Sequence, residues 1–298
     1  MKYLHIVFLL TATLTYSQTD SLFLDLSAYI YLDSVMITAK REGFSVEEFI
    51  KIIQNDNTLE ESFNQLKKLN YRYTNDIKFF RNSGEIKASY ESINLHKYNG
   101  DCQIMEILEE HQIGNHNQFY TNTLYERVFN APTTLCDERK DTPSVSRSSR
   151  ILEKRINELK KLIYTPGQPA SIPLIGDKTA IFSKEMMKHY DFSIVSKGNS
   201  YVFKAKINPF YNMDHPNGSV VKFLEVEMEK GTFQVLKRNY KLQYDAGIYH
   251  FDILMKINLE KFGDQYLTSD IEYDGFWKLV GKRKENCKFH FKIIELHS

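Results

Sequence analysis

The densest group of side chains able to hold a metal or move a proton is Glu109, Glu110, His111 and His116, within EEHQIGNH. Histidines five positions apart do not make the i, i+4 pair that one helix face presents to zinc. Asp214 and His215 lie in NMDHPNG, where Pro216, Asn217 and Gly218 are turn formers and account for the segment without catalysis. Asn217, Gly218 and Ser219 also spell a glycosylation acceptor, relevant in a host that glycosylates exported chains. Glu225, Glu227 and Glu229 alternate along one stretch and read as the solvated side of a strand rather than as an acid and base pair. There is no GxSxG elbow for a nucleophile, and GDK at 176–178 lacks the spacing of a phosphate-binding loop. Cys102, Cys136 and Cys287 show no CxxC or Cys/His zinc pattern. The expectation is a noncatalytic protein with no metal and no cofactor. An exported hydrolase stays open only if His111, His116 and His215 converge in space.

Aromatic residues interleave with Lys and Arg from Tyr71 to Arg81, a pattern able to stack bases or sugar rings. The chain as a whole argues against nucleic acid, because 39 Lys and Arg face 38 Asp and Glu, for a net charge of +1. The alternating aromatics are therefore expected to line a core or a cavity. Hydrophobic residues at 42% and charged residues at 26% suit a folded chain, and 13 Gly with 7 Pro are too few for low complexity.

The start reads as a secretory signal: Lys2, an apolar run from Ile6 to Leu10 continuing through Ala12 and Leu14, then the small residues Thr15 and Ser17. The run is shorter than the roughly 20 residues of a membrane-spanning helix, and no later stretch reaches that length. Cleavage is expected after Ser17, leaving 38 basic and 38 acidic residues. No cysteine follows that site, so the expectation is an exported protein, periplasmic or secreted, without a lipid anchor. In such a compartment three cysteines allow one disulfide and one thiol, or three thiols. Cys102 with Cys136 is the first pair to test, and Cys287 reads as a buried small hydrophobe in a strand.

These residues need elements to position them. Residues 18–42 form an extended segment with one or two short strands in SLFLDLSAYIYLDSVMITA. A single domain follows over 43–298. Ser45 and Glu48 make a capping box, which predicts helices over 46–54 and 58–69 with apolar positions at helical spacing. Tyr71–Phe79 and Ile86–Tyr90 around the NSG turn predict a hairpin, with further short strands over Cys102–Leu108 and Phe119–Phe129. Residues 130–149 read as a surface loop, and Arg150–Tyr164 as an amphipathic helix capped by Ser149. The proline-rich stretch 165–176 is an irregular crossover able to lie over the mouth of a cavity. A short helix over Phe182–His189 follows Ser183.

The last hundred residues alternate most clearly. Odd positions from Tyr249 to Leu259 are apolar, while even ones include His250, Asp252, Lys256, Asn258 and Glu260, which predicts a long half-buried antiparallel strand. Similar runs cover Tyr201–Ile207, Val220–Met228 and Cys287–Ile293. The apolar phase slips between Val235 and Leu236, which predicts a β-bulge, and turns at 229–232, 245–247 and 262–264 join successive strands as a meander. The fold class is therefore α+β, mainly β: a curved antiparallel sheet or unclosed β half-barrel covered by a few helices.

That order of elements, with an export signal, a helix leading into a Tyr-rich strand, a mid-chain amphipathic helix and a C-terminal meander, resembles the LolA/LppX-type lipoprotein carriers over residues 44–298. The segment Tyr273, Asp274, Gly275, Phe276, Trp277 before a final aromatic strand is similar to envelope proteins of this architecture. The resemblance is one of element order and composition, and no functional residue is carried over from it. It implies a concave apolar face that holds lipid. The inward phases nominate Tyr201, Phe203, Tyr249, Phe251, Ile253, Met255, Phe289 and Phe291 as ligand-lining residues. Two functions follow as alternatives: an envelope protein binding a hydrophobic ligand or lipid moiety, or a structural or protein-interaction module whose core is filled by its own side chains. In the second, the loops 130–149 and 208–219 would meet an envelope protein partner.

Overall fold

The structure is a computed structural model that describes residues 45–100, 102–122, 125, 134–136, 158, 160–172, 175–247, 249–279 and 281–297. The proposed signal, the 18–42 segment and most of 126–157 lie outside the described residues. Helix α1 (Val46–Asn55) starts at the expected capping box: Glu48 N donates to Ser45 Oγ, and Ser45 N donates to the Glu48 carboxylate. Its buried residues are Val46, Phe49, Ile50 and Ile53, one stripe at helical spacing. Helix α2 (Thr58–Leu66) follows after Asp56 and Asn57 and buries Leu59, Ser62, Phe63 and Leu66.

The chain then builds one antiparallel sheet. Strands β1 (Asn70–Phe80), β2 (Ile86–Tyr98) and β3 (Cys102–Ile113) lead to the short β4 (Thr134–Cys136). After the crossover and the short helix α3 (Lys184–Met187) come β5 (Tyr190–Lys197) and β6 (Ser200–Ile207). Helix α4 (Pro209–Asp214) precedes β7 (Val221–Glu229) and β8 (Val235–Asp245). Three long strands finish the chain: β9 (Tyr249–Phe262), β10 (Gln265–Leu279) and β11 (Glu285–His297). The spatial order is β4-β3-β2-β1-β11-β10-β9-β8-β7-β6-β5, so the final meander returns to β1, and β4 and β5 are the two edges of an unclosed sheet. This is the expected fold class. Strands such as β1 and β5 bury alternate residues, β1 burying Tyr71, Tyr73, Asn75, Ile77 and Phe79. Helices cover that face, while the other carries crossed ion pairs such as Lys204–Glu225, Lys256–Glu272 and Lys288–Asp274.

The predicted bulge is present: Glu227 pairs with Lys237 and Met228 with Val235, leaving Leu236 as the extra residue. Gly275 is required where β9 and β10 cross closely, since a Cβ there would lie 2.3 Å from the Asp252 carbonyl oxygen and 2.8 Å from Ile253 Cα. The structure corrects three expectations. Residues 120–122 and 125 are helical rather than extended. The reason is local: the Glu285 carboxylate accepts from the amides of Tyr120 and Thr121 at 3.0 and 2.8 Å, serving as an anionic cap, while Phe119 stacks on Phe79 at 3.9 Å. The loop 130–149 contains β4, whose Cys136 lies directly opposite Cys102; Cys102 is disulfide-bonded and Cys287 is a free buried thiol. The strand expected over 102–108 runs on to Ile113 because β2, which continues past the foreseen Tyr90 to Tyr98, pairs with it.

Candidate functional site

The concave face is where the long apolar strands meet covering helices, and it takes in seven of the eight nominated residues. Tyr201, Phe203, Phe251, Ile253, Met255, Phe289 and Phe291 are each no more than 5% exposed. The side chain of Tyr249 lies outside the description, and its backbone pairs with Leu279 at the end of β9. The seven share a face and belong to one buried apolar cluster, each packed against its own neighbours. Tyr201 lies under α1, edge-on to Phe49 at 5.2 Å, and Phe203 meets Phe182, just before α3, at 6.3 Å. Phe251 packs on Trp277 at 4.7 Å, Phe289 stacks on Tyr273 at 4.9 Å, and Phe291 lies 5.2 Å from Tyr73.

At the centre of this apolar face stands a charged group. After the bulge at Leu236 the even positions of β8 point inward, and they read Arg238, Tyr240, Leu242, Tyr244. The Arg238 guanidinium is fully enclosed, pairing with the Asp56 carboxylate in the α1–α2 junction and donating to the Tyr164 carbonyl. One residue along the same strand face, Tyr240 Oη donates to the Ile163 carbonyl at 2.8 Å. Residues 160–164 are the described end of the mid-chain helix, so two inward side chains of the sheet satisfy carbonyls that a helix C-terminus leaves unbonded. Burial pushes the Arg238 pKa down while Asp56 opposes it, and burial pushes the Tyr240 phenol up, so Tyr240 stays a neutral donor. Arg238 Nε has no partner among the described residues, which adds to the cost of placing a cation here. The same helix end is held by Tyr164 stacking on Phe63 at 5.0 Å and by Gln168 Nε2 donating to the Gln54 carbonyl at 2.7 Å. Polar bonds thus tie the helix end to β8 and, through Gln168, the start of the crossover to α1.

A polar stripe crosses the same face at β1 and β2. Ser92, Asn94, His96 and Asn75 are buried there, Asn75 Oδ1 accepting from Tyr125 Oη at 2.6 Å and His96 Nδ1 bonding the Leu69 carbonyl at 2.8 Å. Burial lowers the His96 pKa. Neither Arg238 nor this stripe was nominated from sequence, although each is a polar residue in the apolar phase of its strand, which is the signal that marks them.

The other candidates do not converge. His111 points outward from β3 into a shallow groove of about 380 Å³ with Glu91 and Glu109, while His116 is buried and stacks on Tyr90 at 4.4 Å. His215 lies at the far end of α4 and stacks on Tyr211 at 4.9 Å. Among the described residues no group of His, Cys, Asp and Glu is arranged to hold a metal. Glu225 and Glu227 do face solvent, paired with Lys204 and Lys197. A second groove of about 390 Å³ runs over the same outer face between Asp76, Lys256, Glu272 and Lys288, and its charges are paired with one another. The glycosylation acceptor is engaged: Asn217 bonds the backbone of Asp245 through both its amide nitrogen and its oxygen. No helix among the described residues is long and apolar enough to cross a membrane.

No protein-family model matches the sequence, and no curated protein matches it. Among solved structures the chain is similar to a putative outer membrane lipoprotein-sorting protein domain from Vibrio parahaemolyticus, at 9% identity over 80% of this chain and 92% of that one, with a TM-score of 0.24. It is also similar to a LolA superfamily protein from Nitrosomonas europaea, at 11% identity over 80% and 93% with a TM-score of 0.22. A third is a DUF1329 family protein from Desulfovibrio piger, at 10% identity over 81% and 93% with a TM-score of 0.20.

Proposed function

We propose that this chain is an exported, noncatalytic protein of the cell envelope that takes a hydrophobic ligand, or the lipid moiety of another molecule, onto the concave face of its sheet when the helix end over β8 lifts. The observation that carries the reading is the Arg238–Asp56–Tyr164 arrangement. Arg238, neutralised by Asp56 of the α1–α2 junction, holds the helix end through a hydrogen bond to the Tyr164 carbonyl, and such a buried charged anchor is a poor way to hold a helix on an apolar face, because well-packed hydrophobic residues there are as stabilising or more so. Its advantage is that the charged groups regain water when the helix lifts, which lowers the cost of opening relative to an apolar contact. The face beneath is apolar, and each part of it that a ligand chain covers contributes about 25 cal/mol per Å². Tyr201, Phe203, Phe251, Ile253, Met255, Phe289 and Phe291, with Tyr249, are the proposed lining.

The close packing of those seven side chains favours a second reading, a self-filled module that contacts an envelope protein through its loops. The two are separated by native mass spectrometry of the protein purified from its own source, followed by organic extraction and by titration of the stripped protein with a fluorescent apolar probe. A stoichiometric extractable lipid, or saturable probe uptake that Phe251→Asp abolishes, supports the carrier. An apo mass with no uptake by the wild type overturns it and leaves the module.

A further inference from the structure

One rim of the sheet is built for a different contact. The strand registers place the β5–β6 end, the α4 connection and the β10–β11 hairpin along the same rim, since Tyr190 pairs with Ile207, Val221 with Leu242, Asp245 with His250 and Trp277 with Glu285. On α4, Phe210 and Met213 are 78% and 77% exposed and stand one turn apart, so they share a side of the helix. The helix is inverted relative to an ordinary surface helix: its polar and aromatic residues hold the body, and its largest apolar residues face water. Asn208 caps it, accepting from Phe210 N at 3.0 Å, and Tyr211 stacks on His189 at 3.6 Å. The buried Lys222 donates to Asn212 Oδ1 at 2.7 Å and to the Pro216 carbonyl at 2.6 Å. Phe210 and Met213 are thus presented on a fixed support.

Farther along the rim, Lys278, Lys282, Arg283 and Lys284 are all exposed around one hairpin. The hairpin's carboxylate, Glu285, is turned away to cap the helix at Tyr120, and none of the four cations joins an ion pair among the described residues. Asp214 is the one carboxylate on α4. Four strand spacings separate β6 from β10, up to about 20 Å. Two convex features that far apart, one apolar and one basic, do not form a groove for a peptide. An extended surface that is apolar beneath and anionic above meets both.

We propose that this rim docks on an anionic lipid bilayer, with Phe210 and Met213 entering the headgroup boundary and the 278–284 hairpin lying against the charged headgroups. This contact is independent of whether the concave face holds a ligand. The test is cosedimentation of the full chain with vesicles of equal parts phosphatidylglycerol and phosphatidylcholine, and with vesicles of phosphatidylcholine alone. Binding is expected to the first and to be much weaker on the second. Lys282→Glu/Arg283→Glu/Lys284→Glu is expected to lower partitioning about a hundredfold, and Phe210→Ser/Met213→Ser roughly thirtyfold. All five sites are solvent-exposed, so the variants are expected to keep the wild-type melt by circular dichroism. No binding by the wild type, equal binding to both vesicle types, or unchanged binding by both variants overturns the proposal. So does a dimer in sedimentation velocity that Phe210→Ser/Met213→Ser dissolves, which would make the rim a contact between copies of this chain.

Discussion

Removing Asp56 tests the arrangement at the centre of the concave face. In Asp56→Ala the Arg238 guanidinium, with 3% of its side chain exposed, keeps the Tyr164 carbonyl as its partner and loses its counter-charge. An uncompensated buried charge of this kind costs about 3–5 kcal/mol. Asp56 also accepts from Thr58 N at 3.3 Å at the start of α2, and losing that cap adds about 1 kcal/mol. Arg238→Met removes the cation but leaves a carboxylate with 9% exposure facing an apolar side chain, again a loss of about 3 kcal/mol. In the double variant both charges are gone and the remaining defect is a small cavity and one uncapped carbonyl. Its loss should therefore fall short of the sum of the singles by about 2–3 kcal/mol. Urea unfolding of the four proteins under one condition measures this coupling. Additive losses, or an Asp56→Ala variant within about 1 kcal/mol of wild type, would refute the claim that this pair is a desolvated, interdependent unit.

Gly275→Ala is expected to destabilise by about 1–3 kcal/mol, because its Cβ meets backbone atoms of Asp252 and Ile253 that cannot swing aside; an unchanged urea midpoint would contradict the close crossing. Lys222 has its pKa pushed by burial down to about 8, with Asp252 opposing and Lys241 reinforcing the shift. Between there and its ordinary value near 10.5 the unfolded chain binds more protons, so stability should rise as pH increases through that window, and Lys222→Met should flatten the rise. His96, held neutral by burial, acts at the other end: as pH falls below about 6.5 the unfolded chain takes up a proton that the folded one refuses, and stability drops. Melting temperatures against pH for His96→Gln should show a shallower acid limb than the wild type.

Much of the fold was legible because a half-buried sheet imposes a period of two that side-chain chemistry displays directly. Tyr249–Leu259, the slip at Leu236 and the turn at EKGT each correspond to a feature of the structure. The capping box at Ser45 was equally plain, since both partners lie within three residues. What stayed hidden depends on partners distant in sequence. Residues 120–122 became helical through Glu285, more than 160 positions away, and no local pattern announces such a cap. The candidate site divides the same way. The burial of the apolar positions was readable from phase alone, whereas Arg238 gains its meaning only when Asp56 and Tyr164 are brought to it. Composition also could not say that Phe210 and Met213 face water, because their tetrapeptide reads like any short buried helix.

If the concave face is to admit a ligand, the energetics decide which part moves. Helices α1 and α2 bury Val46, Phe49, Ile50, Ile53, Leu59, Phe63 and Leu66 against the sheet. At about 1.5–3 kcal/mol for each side chain, lifting both would cost about 10–20 kcal/mol, on the order of the whole stability of an ordinary domain. The described helix end at 160–164 buries Leu162 and Tyr164, about 3–6 kcal/mol by the same measure, and its polar anchors recover water on release. Only the second motion is reachable without global unfolding. Native-state hydrogen exchange should therefore find the amides of residues 161–165 opening at a lower free energy than those of α1 and α2, and Arg238→Met should lower it further while leaving the gap to global unfolding intact. Exchange of both regions at the same global free energy would mean that the helix end and the sheet form a single cooperative unit, with no lid to lift.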